Sequence, residues 1–200
     1  MTEKLFYPAA SRNRAPLLDA LRDTLHDCEQ VLEVASGSGE HVEHLAAAFP
    51  RCTFHPTDIA DECLASLLSR AGECATGNIA TPARLDVTEG TWPEGPFDAV
   101  LNANMIHISP WACCEGLLRG ASAVLRPGGH LCLYGPFRRA GRPTAPSNER
   151  FSNSLRARDP RWGVRVLEDV VRSATPHGLA LVRVTDMPAN NLTVLFQRTS

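Results

Sequence analysis

From about residue 14 onward, short strand-like runs alternate with stretches of helical spacing, and this order constrains the chain more than any single residue does. Alternation of that kind implies a mostly parallel sheet covered by helices. Leu17, Leu18, Leu21 and Leu25 mark an amphipathic helix within Pro16–Cys28, and the β-branched run Gln30–Ala35 reads as the first strand. After Ser36-Gly37-Ser38-Gly39 the helical spacing returns over Glu40–Phe49. Further strands are expected at Cys52–Thr57, Ala83–Val87, Phe97–Asn102 and His130–Tyr134. Helices are expected at Asp61–Ser69 and at Trp111–Leu125, the second closed by an Arg126-Pro127-Gly128-Gly129 turn. Val164–Ala174 is again helical, and Leu179–Thr185 and Leu192–Gln197 form a late pair of strands. Residues 135–163 carry Gly, Pro and Asn among charges, which suits an excursion or substrate lid more than a core element.

One domain over residues 1–200 accommodates this order, with 1–28 as an N-terminal arm and helix. Hydrophobic residues at 44% and charged residues at 21% leave no compositional support for a disordered or coiled-coil chain. Twenty Lys and Arg against 22 Asp and Glu, with no basic block, argue against a nucleic-acid or membrane-surface binder. Seven cysteines, an odd number without a CxxC pair, argue against a disulfide framework or a zinc ribbon, and no metal site is expected. No run approaches the roughly 18 apolar residues of a membrane span, and the start lacks an apolar leader segment, so a reducing cytoplasm is the expected location.

The turn Glu33-Val34-Ala35-Ser36-Gly37-Ser38-Gly39 joins a strand to a helix, where backbone N–H groups and a helix N-terminus can approach a polar ligand. A dinucleotide site would want a glycine three residues after Gly39, but that position holds Val42, which weighs against a nicotinamide dehydrogenase. Asp58 lies 19 residues past Gly39 at the end of the second strand, where a carboxylate can accept both hydroxyls of a ribose. Asp86 ends the third strand, placed to accept from an adenine amine. Three acids at three strand ends point at one crevice, although each taken alone also reads as a helix cap.

These marks resemble class I S-adenosylmethionine-dependent methyltransferases, whose first strand carries an acid before G-x-G and whose fifth strand follows an L-x-P-G-G turn, here Leu125-Arg126-Pro127-Gly128-Gly129. The late strand pair resembles the antiparallel hairpin of that fold. Over nearly the whole chain the sequence is similar to the methyltransferase-like protein 26 family. The strings that carry this are Arg12-Asn13, Glu33 to His41, Asn102-Ala103-Asn104-Met105-Ile106-His107-Ile108-Ser109-Pro110-Trp111, Tyr134-Gly135-Pro136-Phe137 and Met187-Pro188-Ala189-Asn190-Asn191. The chain departs from that family at Phe151-Ser152, where relatives often have Phe-Asp, so substrate identity is not inherited.

The resemblance implies a three-layer α/β/α Rossmann-like domain with a mostly parallel seven-stranded sheet ending in an antiparallel hairpin. It also implies S-adenosylmethionine as cofactor and S-adenosylhomocysteine as product. The cofactor is expected against Arg14, Glu33, Ala35, Ser36, Gly37, Gly39, His41, Asp58, Ile59, Asp86, Val87, Asn102 and Met105. Methyl transfer is an in-line displacement in which the protein aligns the reactants, excludes water and supplies a base where the nucleophile is protonated. His107 titrates near neutrality beside that place and is a candidate base, with a hydrogen-bonded structural histidine as the larger alternative. Tyr134 is a second catalytic candidate, or finds a structural partner at the sheet edge.

Substrate contacts are expected from Tyr7, Asn13, His107, Tyr134, Asn148, Trp162, Arg165 and Asn190, against the alternatives of a solvated arm for Asn13 and a turn for Asn190. His41 and His44 do not form the H-E-x-x-H zinc arrangement, and Cys113-Cys114 reads as a pair of small helix residues. The expected function is methylation of an unidentified, small-molecule acceptor. The rival readings are a cofactor-binding regulatory or assembly protein without turnover and an enzyme that uses the sulfonium compound itself in a non-methylating displacement.

Overall fold

The computed structural model describes residues 4–89 and 91–199, so the first three residues of the expected N-terminal arm lie outside it. In chain order the elements are α1 (Pro8–Leu25), β1 (Gln30–Val34), α2 (Glu40–Ala48), β2 (Thr53–Asp58), α3 (Asp61–Glu73), β3 (Ala83–Arg84) and β4 (Phe97–Ala103). They continue as α4 (Trp111–Val124), β5 (Leu125–Arg138), α5 (Pro146–Arg158), β6 (Arg165–Val166), α6 (Leu167–Ala174), β7 (Leu179–Met187) and β8 (Asn191–Arg198). No helix among the described residues is long and apolar enough to cross a membrane.

The sheet runs in the order β3-β2-β1-β4-β5-β8-β7, and β6 adds a two-residue pairing to the end of β5. Pairings from β3 through β5 are parallel, while β8 lies antiparallel to both β5 and β7. This is the α/β methyltransferase architecture expected from the sequence, seven strands with a late hairpin, plus the short β6.

Period-two alternation decides what each face buries. Leu32, Val34, Val100, Leu131 and Leu133 face α4 and α6, where Leu117, Leu118, Ala121 and Val170 close one core. Val31, Phe54, Ala99, Leu101 and Cys132 face α1, α2 and α3, where Leu17, Leu21, Leu25, Leu45 and Leu67 close the other. Each fully buried Leu or Phe contributes on the order of 1.5–3 kcal/mol, so the two cores hold the three layers together. Strand order reverses beside β1, and the reversal opens a crevice at the carboxyl ends of β1 and β4.

Several boundaries differ from expectation. The first helix begins at Pro8, not Pro16, because Tyr7 is extended and Pro8 takes the first turn; Pro16 then lies inside, where its ring nitrogen cannot serve the Arg12 carbonyl. The third strand closes after two residues. The fifth runs back to Leu125 and on to Arg138, through a register shift next to Gly128 in its left-handed conformation.

Residues 135–163 are more ordered than a Gly- and Pro-rich excursion suggests. Gly135 to Arg138 continue β5, and Pro146–Arg158 form a helix whose buried face is Asn148, Ser152 and Leu155. That face is largely polar, so it shows no apolar stripe. It is held by hydrogen bonds instead: Asn148 Nδ2 donates to the Asn190 carbonyl at 2.9 Å, and Ser152 Oγ accepts from the Val164 N–H at 3.3 Å.

Candidate active site

The turn after β1 holds Ala35, Gly37 and Gly39 at φ +55°, +58° and +83°, which turns successive backbone groups toward the crevice. The two glycines do different things. A Cβ on Gly37 would lie 3.2 Å from Tyr7 Cε2, at the surface of the crevice, whereas a Cβ on Gly39 would meet Arg70 Cδ and Leu67 Cδ2 at 2.7 Å. Gly39 therefore lets α2 approach α3 and is not among the residues lining the two cavities of the crevice, where the cofactor role was expected of it.

Asp58 pins the turn. Its Oδ2 accepts from the Gly37 N–H at 2.8 Å, and its Oδ1 accepts from the N–H groups of Ile59 and Ala60 at 2.8 and 3.0 Å. Oδ1 is thus filled by two N–H groups, while Oδ2 keeps lone-pair capacity beyond its one bond. Next to it, Asp86 Oδ1 accepts from the Thr88 N–H and hydroxyl at 2.8 and 2.7 Å.

Two cavities open on the crevice and share Tyr7, Ala35, Gly37, Ala103 and Ile108 as common wall. The smaller, about 330 Å³, is lined by Asp58, Ile59, Leu85, Asp86, Val87 and Met105. The larger, about 540 Å³, is lined by Arg12, Asn13, Ser36, His41, Asn148, Phe151 and Asn191. One is a slot with two carboxylates and apolar faces. The other is wider, with amides and one imidazole.

An N-terminal strap roofs the shared wall. The Tyr7 N–H donates to Glu40 Oε2 at 2.7 Å, Ser38 Oγ donates to the same oxygen at 2.9 Å, and Ser11 donates to Glu40 Oε1. Burial opposes the Glu40 charge, but those donors and the Arg70 guanidinium outweigh it and hold the carboxyl below its usual range. Arg70, 1% exposed, donates through Nη2 to the Leu5 carbonyl and through Nε to the Ser38 carbonyl, both at 2.7 Å, pairs with Glu43, and lies over the Phe6 ring. Ser66 Oγ accepts from the Leu5 N–H at 2.9 Å. Neither Arg70 nor Ser66 was expected at the site. Their signal is the buried stripe Cys63, Ser66, Leu67 and Arg70, in which two polar residues stand where α3 should be apolar.

The structure brings Tyr7, Asn13, Ala35, Ser36, Gly37, His41, Asp58, Ile59, Asp86, Val87, Met105 and Asn148 to the two cavities. Arg14 is replaced there by Arg12, because residues two apart on a helix point about 200° apart. Glu33 and Asn102 line neither cavity. Glu33 is buried in β1 with Oε2 unpartnered, and burial pushes its carboxyl up to about 7. Asn102 Nδ2 donates to the Val34 carbonyl at 2.9 Å, tying β4 to β1, while its Oδ1 has no partner.

His107 is a packing residue. Its ring is 0% exposed, stacks edge-on to Phe137 with centroids 4.9 Å apart, and accepts the Arg165 N–H at Nδ1 at 3.3 Å. A Cβ on Gly135 would come within 2.7 Å of Nε2, so the glycine makes room for the ring. Burial and the nearby Arg165 charge push His107 down to about 3. It lines neither cavity, so the structure does not bring the expected base to them. Tyr134, 2% exposed, belongs to the core under α1 and α2. Burial pushes its hydroxyl up to about 12 against the opposing influence of the Asn191 amide, with which it forms no hydrogen bond of normal geometry.

Trp162 and Arg165 also lie outside the cavities. Arg165 donates to the carbonyls of Ile106 at 2.8 Å and Ser109 at 2.6 Å and so fixes the turn Met105–His107, while Trp162 carries Arg158 over its ring. Asn190 donates to Ser147 Oγ at 3.0 Å and latches α5 to the β7–β8 turn.

A family model described as "Protein of unknown function (DUF938)" matches residues 4–198. Among solved structures, an O-methyltransferase family protein from Burkholderia thailandensis matches with a TM-score of 0.80 at 16% identity, covering 96% of this chain and 58% of that one. The S-adenosylmethionine-dependent methyltransferase SibL, in its apo form, matches with a TM-score of 0.79 at 23% identity, covering 96% and 56%. Human N-acetylserotonin methyltransferase, in complex with SAM, matches with a TM-score of 0.76 at 16% identity, covering 96% and 53%. The chain thus spans a little over half the length of these proteins. At such identities the likeness is one of fold.

Proposed function

The chain belongs to the DUF938 family, and from its site we propose that it is an S-adenosylmethionine-dependent methyltransferase acting on a small molecule. The observation that carries this reading is the pair of cavities meeting at Tyr7, Ala35, Gly37, Ala103 and Ile108 on the carboxyl edge of the sheet. The smaller suits a nucleoside: Asp58 Oδ2 to accept a ribose hydroxyl, Asp86 to accept an adenine amine, and Ile59, Leu85 and Val87 to cover a flat ring. Gly37 leaves the space that a side chain would take from the ligand.

When bound, the sulfonium cofactor supplies an electrophilic methyl group. The protein's own part is alignment and exclusion of water. Tyr7 stands between the two cavities, tied down by Glu40 and by a 3.6 Å contact of its hydroxyl with Cys63 Sγ, and covers the junction at which the reactants would meet. The larger cavity, roofed by α1 and α5, would hold the acceptor. The strings that resemble the methyltransferase-like protein 26 family contribute Arg12, Asn13, Ser36, His41, Asn104, Pro136 and Asn191 to the wall of that cavity. All seven cysteines are free thiols, which suits a reducing cytoplasm.

Thermal unfolding with S-adenosylhomocysteine and, separately, with NAD tests the cofactor. At 100 times its Kd the first should stabilise the chain by about 2.7 kcal/mol, or about 5–10 °C, and NAD should not. Stabilisation by NAD alone, or by neither, refutes the reading. Release of S-adenosylhomocysteine that depends on an added metabolite fraction then separates a transferase from a binding protein.

A further inference from the structure

One side chain in the wall of the larger cavity carries a buried polar atom that the fold itself leaves unused. His41, in the first turn of α2, forms part of the wall, is 7% exposed, and its Nε2 has no hydrogen-bond partner. Its neighbour Glu40 is occupied by the strap, and His44, one turn on, feels Arg14 and Asp19, on the far side from the cavity-lining Arg12. Burial holds the His41 ring down at about 4, so near neutral pH it is uncharged and one ring nitrogen offers a lone pair.

The rest of the wall narrows what that lone pair can meet. Tyr7, Ile108 and Phe151 present large apolar surfaces at the mouth, and Asn13, Asn148 and Asn191 add amides. Among the described residues lining this cavity Arg12 is the one ion, and no carboxylate is among them. A cationic acceptor would therefore lose its hydration without gaining a counter-charge, whereas a hydroxyl on an apolar body would find both a surface and a hydrogen-bond acceptor.

Building on the cofactor reading above, we propose that the acceptor is a hydroxyl group on a small, largely apolar molecule, and that His41 accepts its hydrogen, orients its oxygen and takes its proton. As the acceptor oxygen bonds to the methyl carbon, the carbon–sulfur bond breaks and its electron pair stays on sulfur, leaving a neutral thioether. The hydroxyl proton passes to the imidazole and then to water. Even a weakly basic histidine suffices, because an oxygen that has gained a methyl group while keeping its hydrogen is strongly acidic.

Phenol and anisole share one body and differ in the hydrogen His41 would accept, so they are the probes, each titrated by NMR into the protein saturated with S-adenosylhomocysteine. Wild type should bind phenol roughly tenfold more tightly than anisole, the scale of one buried hydrogen bond. His41→Leu should erase the preference, and His41→Gln, which keeps an acceptor oxygen, should restore part of it. The ring nitrogens of His41 should shift with phenol and not with anisole, a readout that needs no variant to fold. Benzylammonium should bind no better than anisole.

Equal binding of phenol and anisole, a preference that survives in His41→Leu, tighter binding of benzylammonium, or no binding of phenol would each overturn the proposal. If S-adenosylhomocysteine itself fails to bind, the cofactor reading falls. If it binds and the phenol preference is absent, only the assignment of His41 and of the hydroxyl acceptor falls.

Discussion

Replacing Glu33 by Gln should make the unliganded protein more stable, and increasingly so as pH rises. The carboxyl lies fully buried in β1 with Oε2 unpartnered, and burial lifts it from 4.5 to about 7. Because the value is raised by folding, the native chain keeps a proton between these two pH values that the unfolded chain has lost. The stability this confers is complete below about pH 4.5 and is lost as pH rises through about 7. At about 1.4 kcal/mol for each pH unit, the gap amounts to about 3 kcal/mol.

Glutamine has the same shape and never ionises. At pH 8 Glu33→Gln should therefore gain up to about 3 kcal/mol over wild type, or roughly 6–12 °C in Tm for a domain of this size. At pH 4.5 the two should nearly coincide. Thermal unfolding followed by circular dichroism from pH 4.5 to 8 reads this directly. An unsatisfied amide hydrogen on the substituted side chain would lower the variant equally at every pH, so the difference in slope decides. Parallel curves for the two proteins would show that Glu33 does not carry a buried, strained charge.

The other perturbations act on the turn and its roof. Asp58→Asn keeps the shape but weakens the acceptor of the Gly37 N–H and of a ribose, so S-adenosylhomocysteine affinity should fall roughly tenfold or more by calorimetry; unchanged affinity removes Asp58 from the site. Gly37→Val places a side chain at φ +58° and against Tyr7, and should cost about 1–3 kcal/mol in urea unfolding while abolishing the ligand-induced rise in Tm. Arg70→Ala removes a buried cation from Glu43, Ser38 and Leu5 and should destabilise by about 3–5 kcal/mol. Its signature beyond stability is faster hydrogen exchange at the Leu5 and Tyr7 amides, and unchanged exchange there would mean that the strap does not depend on Arg70.

Much of the architecture was legible because it is written in local periodicity. Leu17, Leu21 and Leu25 repeat at helical spacing and are all buried, and the runs around Val31 and Val100 alternate between two cores. The glycine turn and the acids Asp58 and Asp86 follow from their places after strands, which need no knowledge of distant contacts. The helix α5 is not legible in the sequence because two of the three residues on its buried face, Asn148 and Ser152, are polar, and Leu155 alone makes no apolar stripe. The start of α1 is hidden in the sequence because Pro16 reads as a beginning, although a helix already anchored at Pro8 tolerates the one missing bond.

What the amino-acid order alone determined is the layered α/β architecture, the edge of its sheet on which the crevice opens, and the residue types gathered there. Which of those residues reach open space was decided by tertiary packing. His107 is sealed by Gly135, Phe137 and Arg165, Tyr134 is sunk under α1 and α2, and Arg12 faces inward where Arg14 does not. The strap over Gly37 is held by Ser66 and Arg70, some sixty residues from Leu5. Periodicity reports which face of an element is buried, but whether a polar side chain ends against a cavity or against a neighbouring helix depends on how elements distant in sequence dock. That docking is settled by close packing of the whole core.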